Sequence, residues 1–144
     1  MELRKALDRF YYSEALCDLR MMNRKMLDDN ITYNNLLYLE LIYTMEGKCT
    51  ASKLAELLYL SKPPVTAKVN ELIRKGFVIA TPDPKDHRQH LLTVNEEKLP
   101  KYKFHSRQDK SAIDKVRASF TPEEIAKFCQ MLDMISEVSF EEME

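Results

Sequence analysis

A chain of 144 residues with 44% hydrophobic and 31% charged residues is long enough to bury one core. It has no apolar run of membrane-helix length and no secretory leader at Met1-Glu2-Leu3-Arg4-Lys5, so a cytoplasmic protein with no membrane partner is expected. The net charge of −1 conceals a division: residues 1–47 carry six Lys/Arg against eight Asp/Glu, residues 48–92 eight against four, and residues 93–144 eight against eleven. A basic middle between acidic flanks suits a polyanionic partner there and a different task on either side.

From Glu2 to about Leu27 the chain has no Pro or Gly, and Leu3, Leu7, Phe10, Tyr11, Cys17 and Met21 recur near one helical face. Leu16, Leu19, Met22 and Met26 extend that face, which is broader than a small domain needs. Such a helix either packs in a dimer interface or serves as a plain core helix. Asp28-Asp29-Asn30 is a turn. Thr32 then caps a second helix whose buried side is Leu36, Leu37, Tyr38, Leu41, Ile42 and Met45, and Gly47 ends it in the left-handed conformation.

Thr50 caps a third helix with Ala51, Leu54, Ala55 and Leu58 inward, and Tyr59-Leu60-Ser61 is a tight turn. Ser61 or Lys62 caps the next helix, with Pro63 and Pro64 in its first turn, where a missing N–H loses no intrahelical bond. Val65, Val69, Leu72 and Ile73 form its inward stripe, turning Pro63, Thr66, Ala67, Asn70 and Arg74 outward or to the flanks until Gly76 stops it. A major groove admits such a face: Thr and Ala touch a thymine methyl, Asn pairs with adenine, and Lys reaches guanine or phosphate. The alternative is an ordinary solvated helix face.

Phe77-Val78-Ile79 and His90-Leu91-Leu92-Thr93-Val94 are β-prone runs around the turn formers Thr81-Pro82-Asp83-Pro84, which makes a two-stranded wing. Lys85, Asp86, His87 and Arg88 stand at its tip, where an Arg on a narrow ribbon can enter a minor groove and Asp86 would orient it by a charge-assisted bond. Asn95-Glu96-Glu97 starts a further helix that Pro100 interrupts, so its start shifts toward Leu99. Thr121-Pro122-Glu123-Glu124 is a capping box opening a last helix to about Phe140, with Ile125, Phe128, Cys129, Leu132, Ile135 and Val138 as its apolar side.

This order predicts a mainly α protein with a small two-stranded antiparallel wing. The expected organisation is a single domain, 1–144, with a winged helix-turn-helix at 31–98 flanked by helical dimerisation regions at 1–30 and 99–144.

From Ile31 to about Lys98 the residues resemble the MarR (multiple antibiotic resistance regulator) family of transcription factors. ITYNNLLYLELI is similar to that family's second helix, TASKLAELL to its first helix-turn-helix element, SKPPVTAKVNELIRKGFV to its recognition helix and exit, and TPDPKDHRQHLLTV to its wing with Asp86-x-Arg88. The resemblance implies a homodimer that reads a pseudo-palindrome in double-stranded DNA, with regulation in the expected sense of repression. It places Ser61, Lys62, Pro63, Pro64, Thr66, Ala67, Lys68, Asn70 and Arg74 at the major groove, and the wing arginine, Arg88, in the minor groove beside Lys85, Asp86 and His87. Many members are released from DNA by a small aromatic or anionic ligand. Ala80 and Lys98 depart from the family pattern, which often has Arg and Gly there.

Tyr11, Tyr12, Tyr33 and Tyr38 are candidates for lining a ligand pocket, set against the commoner role of such side chains in packing. Some relatives switch through an N-terminal cysteine, but Cys17 stands nearer the ITY stretch and on an apolar stripe, so a buried structural thiol is expected. Cys17, Cys49 and Cys129 form no disulfide framework or zinc finger, and His87, His90 and His105 are not clustered, so no metal or cofactor is expected. Both glycines end helices, leaving none for a phosphate loop, and no catalytic set converges, so an enzyme is not expected. The rival reading is a winged-helix scaffold that binds protein without specific DNA recognition.

Overall fold

Thr32, Thr50 and Thr121 each stand where a helix must begin, and in the computed structural model each satisfies a backbone N–H that the first turn leaves without a partner. The structure describes residues 2–23, 31–98 and 107–141. These fall into two units, Met1–Tyr102 and Lys103–Glu144.

The first unit opens with α1 (Leu3–Asn23) and α2 (Tyr33–Thr44). Thr32 Oγ1 accepts from the Asn35 N–H at 3.2 Å, and Gly47 takes φ +78° in the turn after α2. Glu46, with φ 48°, precedes it in the same left-handed region at a steric cost that glycine avoids. In α3 (Ala51–Leu57) the Thr50 hydroxyl accepts from the Lys53 N–H at 3.1 Å. Then come α4 (Lys62–Arg74) and the strands β1 (Val78–Pro82) and β2 (His90–Val94).

The strands are antiparallel, with Val78 opposite Val94, Ala80 opposite Leu92 and Pro82 opposite His90. The expected first strand, Phe77 to Ile79, is thus displaced toward the tip. Thr81 and Pro82, read as turn, pair with Leu91 and His90, because a proline at the end of an edge strand needs no ladder N–H. Phe77 is buried just outside the strand. An isolated bridge adds Cys49 to the outer side of β2, the Leu92 N–H donating to the Cys49 carbonyl at 2.9 Å. The wing is therefore tied to the residue just before the Thr50 cap.

The core of this unit is Ile31, Leu36, Leu39, Ile42, Leu54, Ala55, Val65, Val69, Leu72, Phe77, Val78 and Leu92, together with Cys49, whose thiol burial pushes up to about 11 against the opposing influence of Lys53. The inward stripe Val65, Val69 and Leu72 is found as expected, with Ile73 half-buried at its edge. On α2, Leu36 and Ile42 are buried, while Leu37, Tyr38, Leu41 and Met45 are half-buried. Leu39 and Asn35 complete the buried side, and neither was expected there.

No residue of α1 is buried within the protomer, so it is not a core helix. Leu3, Phe10, Tyr11, Leu19 and Met22 are exposed, and Leu7, Leu16 and Met21 are half-buried. Cys17, expected as a buried thiol, is exposed on this helix, because among the described residues of its own unit nothing packs over its side chain. The turn at Asp28-Asp29-Asn30 and residues Met26, Leu27, Leu99, Pro100 and His105 lie outside the described residues.

Where a helix was expected from Asn95, the structure has a short 3-10 turn, Glu96–Lys98. Asn95 is used instead as a clamp: its backbone N–H donates to the Phe77 carbonyl at 2.8 Å and its side-chain amide to the Gly76 carbonyl at 3.1 Å.

The second unit consists of α5 (Arg107–Ser119) and α6 (Pro122–Glu141). Its capping box is complete, the Glu124 N–H donating to Thr121 Oγ1 at 3.3 Å and the Thr121 N–H to Glu124 Oε2 at 2.9 Å. Among its described side chains none is buried. Ile125 and Ile135 of the expected apolar side are half-buried; Phe128, Cys129 and Leu132 are exposed, and the Val138 side chain is outside the described set.

Candidate nucleic-acid interface

Two prolines determine how α4 begins. A capping serine normally accepts from the N–H of the second or third helical residue. Those positions are Pro63 and Pro64, which have no N–H, so Ser61 occupies the cap position without a side-chain bond and keeps an exposed hydroxyl. The helix start is held by the fixed φ of the prolines. At the far end Gly76, with φ +81°, turns the chain into the wing, and the Lys98 side chain lies across its open face.

Between these ends Lys62, Pro63, Ala67, Asn70 and Arg74 are exposed, with Pro64 and Thr66 at the margins of the same side, while Val65, Val69 and Leu72 face the core. The exposed row thus follows the 3.6-residue period that the sequence predicts. Lys62 and Arg74 stand at opposite ends of this row, both with exposed side chains.

The wing tip is built by two aspartates. Asp83 Oδ1 accepts from the Lys85 N–H at 2.9 Å, and Asp86 Oδ1 accepts from the Arg88 N–H at 3.1 Å; these are side-chain turns that mimic backbone ones. The Gln89 amide nitrogen adds a bond to Asp86 Oδ2 at 3.3 Å, and the Asp83 N–H donates to the Gln89 carbonyl at 3.0 Å. The expected Asp86–Arg88 bond is therefore corrected in kind. Asp86 is only two residues away and saturates the Arg88 backbone rather than its guanidinium, which leaves the Arg88 side chain exposed with those of Lys85 and His87.

Lys68, also expected at the groove, is half-buried and has partners within the protein. Its ammonium donates to Asn35 Oδ1 at 2.8 Å and to Glu71 Oε2 at 3.4 Å, and it lies 6.0 Å from the centre of the Tyr38 ring. Glu71 Oε1 in turn accepts from the Lys75 ammonium at 3.0 Å and from the Asn35 amide at 3.1 Å. The bond from Lys75, followed by that from Asn35, outweighs burial and holds the Glu71 carboxyl at about 2, well below the ordinary carboxylate range. Asn35 is fully buried and was missed by sequence reasoning. A signal existed: it lies four and seven residues before the buried Leu39 and Ile42, on their stripe.

Of the tyrosines considered for a ligand, Tyr11 and Tyr12 are exposed on α1, and the Tyr11 ring leans on Phe10 at 5.9 Å between centres. Tyr33 donates its hydroxyl to Asp18 of α1. Burial, and then that bond, push the hydroxyl above its ordinary range. Tyr38 is engaged by Lys68. No helix among the described residues is long and apolar enough to cross a membrane.

The sequence model of the MarR family matches residues 29–89, the stretch holding α2, α3, α4 and most of the wing. Among solved structures, FabT of Streptococcus pneumoniae in complex with DNA is similar, with a TM-score of 0.63 at 19% identity over 98% of this chain and 99% of that one. The transcriptional regulator Tm0710 from Thermotoga maritima gives 0.58 at 22% identity over 96% and 97%. The adhesin competence repressor AdcR from Streptococcus pyogenes gives 0.55 at 18% identity over 95% and 97%. At such identities the likeness establishes the fold. No curated protein sequence matches the chain.

Proposed function

We propose that this chain, whose winged-helix region belongs to the MarR family, is a DNA-binding transcriptional regulator that reads double-stranded DNA with α4 and its wing. The observation that carries the reading is the pairing of an exposed row of small, polar and basic groups on α4 with a preformed wing tip presenting the Arg88 side chain. The row has a shape a major groove admits, and Arg88 stands on a ribbon narrow enough for a minor groove. The N-terminus of α4, with Ser61 and Lys62, adds partial and full positive charge where a phosphate would lie.

The protein acts as a homodimer. This is supported by α1, which leaves Leu3, Phe10, Leu19 and Met22 uncovered, and by α6, which leaves Phe128, Met131 and Met134 uncovered. Apolar surface of that kind calls for a partner, and two copies would present two reading heads to a pseudo-palindrome. Repression, with release by a small aromatic or anionic ligand, is the expected mode; the DNA complex of FabT and the repressor named among the similar structures support it by analogy.

The test is a competition: labelled DNA from the region upstream of the gene is titrated with protein in the presence of unrelated DNA, at several salt concentrations. A preference for that or another genomic fragment, weakening steeply with salt, is expected. Equal affinity for all fragments would hand the case to the scaffold reading.

A further inference from the structure

The outward row of α4 has a counterpart on the helix's flank. Lys68, Glu71 and Lys75 recur at spacings of three and four, so they form a second stripe, beside the apolar one and directed at α2. At its centre is the Asn35 amide, with no solvent exposure. An ammonium only donates and a carboxylate only accepts, so the Asn35 carbonyl must face Lys68 and its NH2 must face Glu71. The amide therefore has one orientation, and each of its two halves is matched to a different turn of α4.

An apolar stripe such as Val65, Val69 and Leu72 tolerates a small rotation or slide, because dispersion contacts are non-directional. Bonds of 2.8 Å and 3.1 Å to a buried amide do not. A turn of α4 that breaks either bond leaves part of a buried amide unpaired, and its desolvation then goes uncompensated. The lock thus fixes rotation more sharply than the core does.

We propose that Lys68 is a positioning residue rather than a DNA contact: with Glu71 it keys α4 onto Asn35 and so sets the angle at which Ala67, Asn70 and Arg74 face the groove. This rests on the DNA-binding reading above. An ammonium committed to Asn35 and Glu71 displaces no counterion from a phosphate, so Lys68 adds affinity for the right sequence without adding to the salt dependence.

The test compares the wild type with Lys68→Met, Asn35→Leu, their double variant and Lys62→Ala, at a temperature where circular dichroism finds all of them folded. Affinities for the preferred fragment and for unrelated DNA are measured across a salt series. Lys68→Met and Asn35→Leu are each expected to lower the preference about tenfold. The double variant should lose little more, and the salt slopes should match the wild type. Lys62→Ala should lower the slope by about one. A slope reduced by Lys68→Met as by Lys62→Ala, or a preference untouched by Lys68→Met or Asn35→Leu, overturns the proposal. Should Asn35→Leu not fold, Glu71→Gln takes its place with the same expectations. If the wild type prefers no DNA, the functional reading falls, and the melting temperatures of the same set still decide on the lock: non-additive losses support it, and additive ones overturn it.

Discussion

Glu71→Gln removes one charge and keeps the shape of the side chain, so it isolates what the carboxylate contributes between Lys68, Lys75 and Asn35. In the folded chain this carboxyl titrates at about 2 instead of the ordinary 4.5, because the ammonium and amide donors favour its charged form. A depressed carboxyl stabilises the fold fully above about 4.5, and that stability is lost as pH falls toward about 2, since the unfolded chain binds the proton first. Without solvent screening, a fall from 4.5 to about 2 corresponds to about 3 kcal/mol. Water reaches 28% of the Glu71 side chain and 31% of Lys75, so screening reduces the contribution to about 1 kcal/mol. Urea unfolding at fixed protein concentration, at pH 7 and pH 3, measures it. Glu71→Gln is expected to be less stable than wild type by about that amount at pH 7, with the gap narrowing at pH 3. No gap at pH 7, or a gap of the same size at pH 3, would refute the assignment of Glu71 as the charged centre of this network.

Thr50→Ala should lower stability by about 1 kcal/mol in the same urea assay, because the buried hydroxyl caps α3 through the Lys53 N–H. Gly76→Ala should also lower stability, by about 1 kcal/mol. The cause is its φ of +81° and not the nearby Lys98 ammonium, a flexible end that can move aside; Lys98→Ala should therefore not rescue it. Cys49 should be unreactive toward a thiol reagent at pH 8 and become reactive on denaturation, since burial holds its pKa at about 11 and covers the sulfur. Reaction of Cys49 in the folded protein would contradict the packing around it.

Helix boundaries were legible where the backbone made a demand that only certain residues meet. Thr32, Thr50 and Thr121 cap and Gly76 stops α4 as their positions predict, whereas α2 is already left behind at Glu46, one residue before the left-handed Gly47. The outward face of α4 was legible for a similar reason, since its apolar stripe fixes the opposite side. What escaped were polar side chains that choose among partners. Asp86 takes the Arg88 backbone because that N–H is close and directed, a preference the pattern Asp-x-Arg does not express. Lys68 turns inward because a buried amide lies 33 residues earlier in the chain, and a long-range pair of that kind leaves no periodic trace on α4. Tyr59, a non-glycine residue at φ 51° in the turn between α3 and α4, was equally invisible. Cys17 was misjudged because an apolar stripe on one helix signals burial without saying whether the cover lies in the same chain.

If α4 and the wing form a DNA-reading head, Arg88→Ala must weaken it at the minor groove. Fluorescence anisotropy on the preferred fragment and on unrelated DNA, each across a salt series, gives affinity and slope together. Arg88→Ala is expected to weaken binding to every sequence, to lower the salt slope by about one and to change the ranking of sequences little. Binding by Arg88→Ala that matches the wild type in affinity and slope would contradict that expectation.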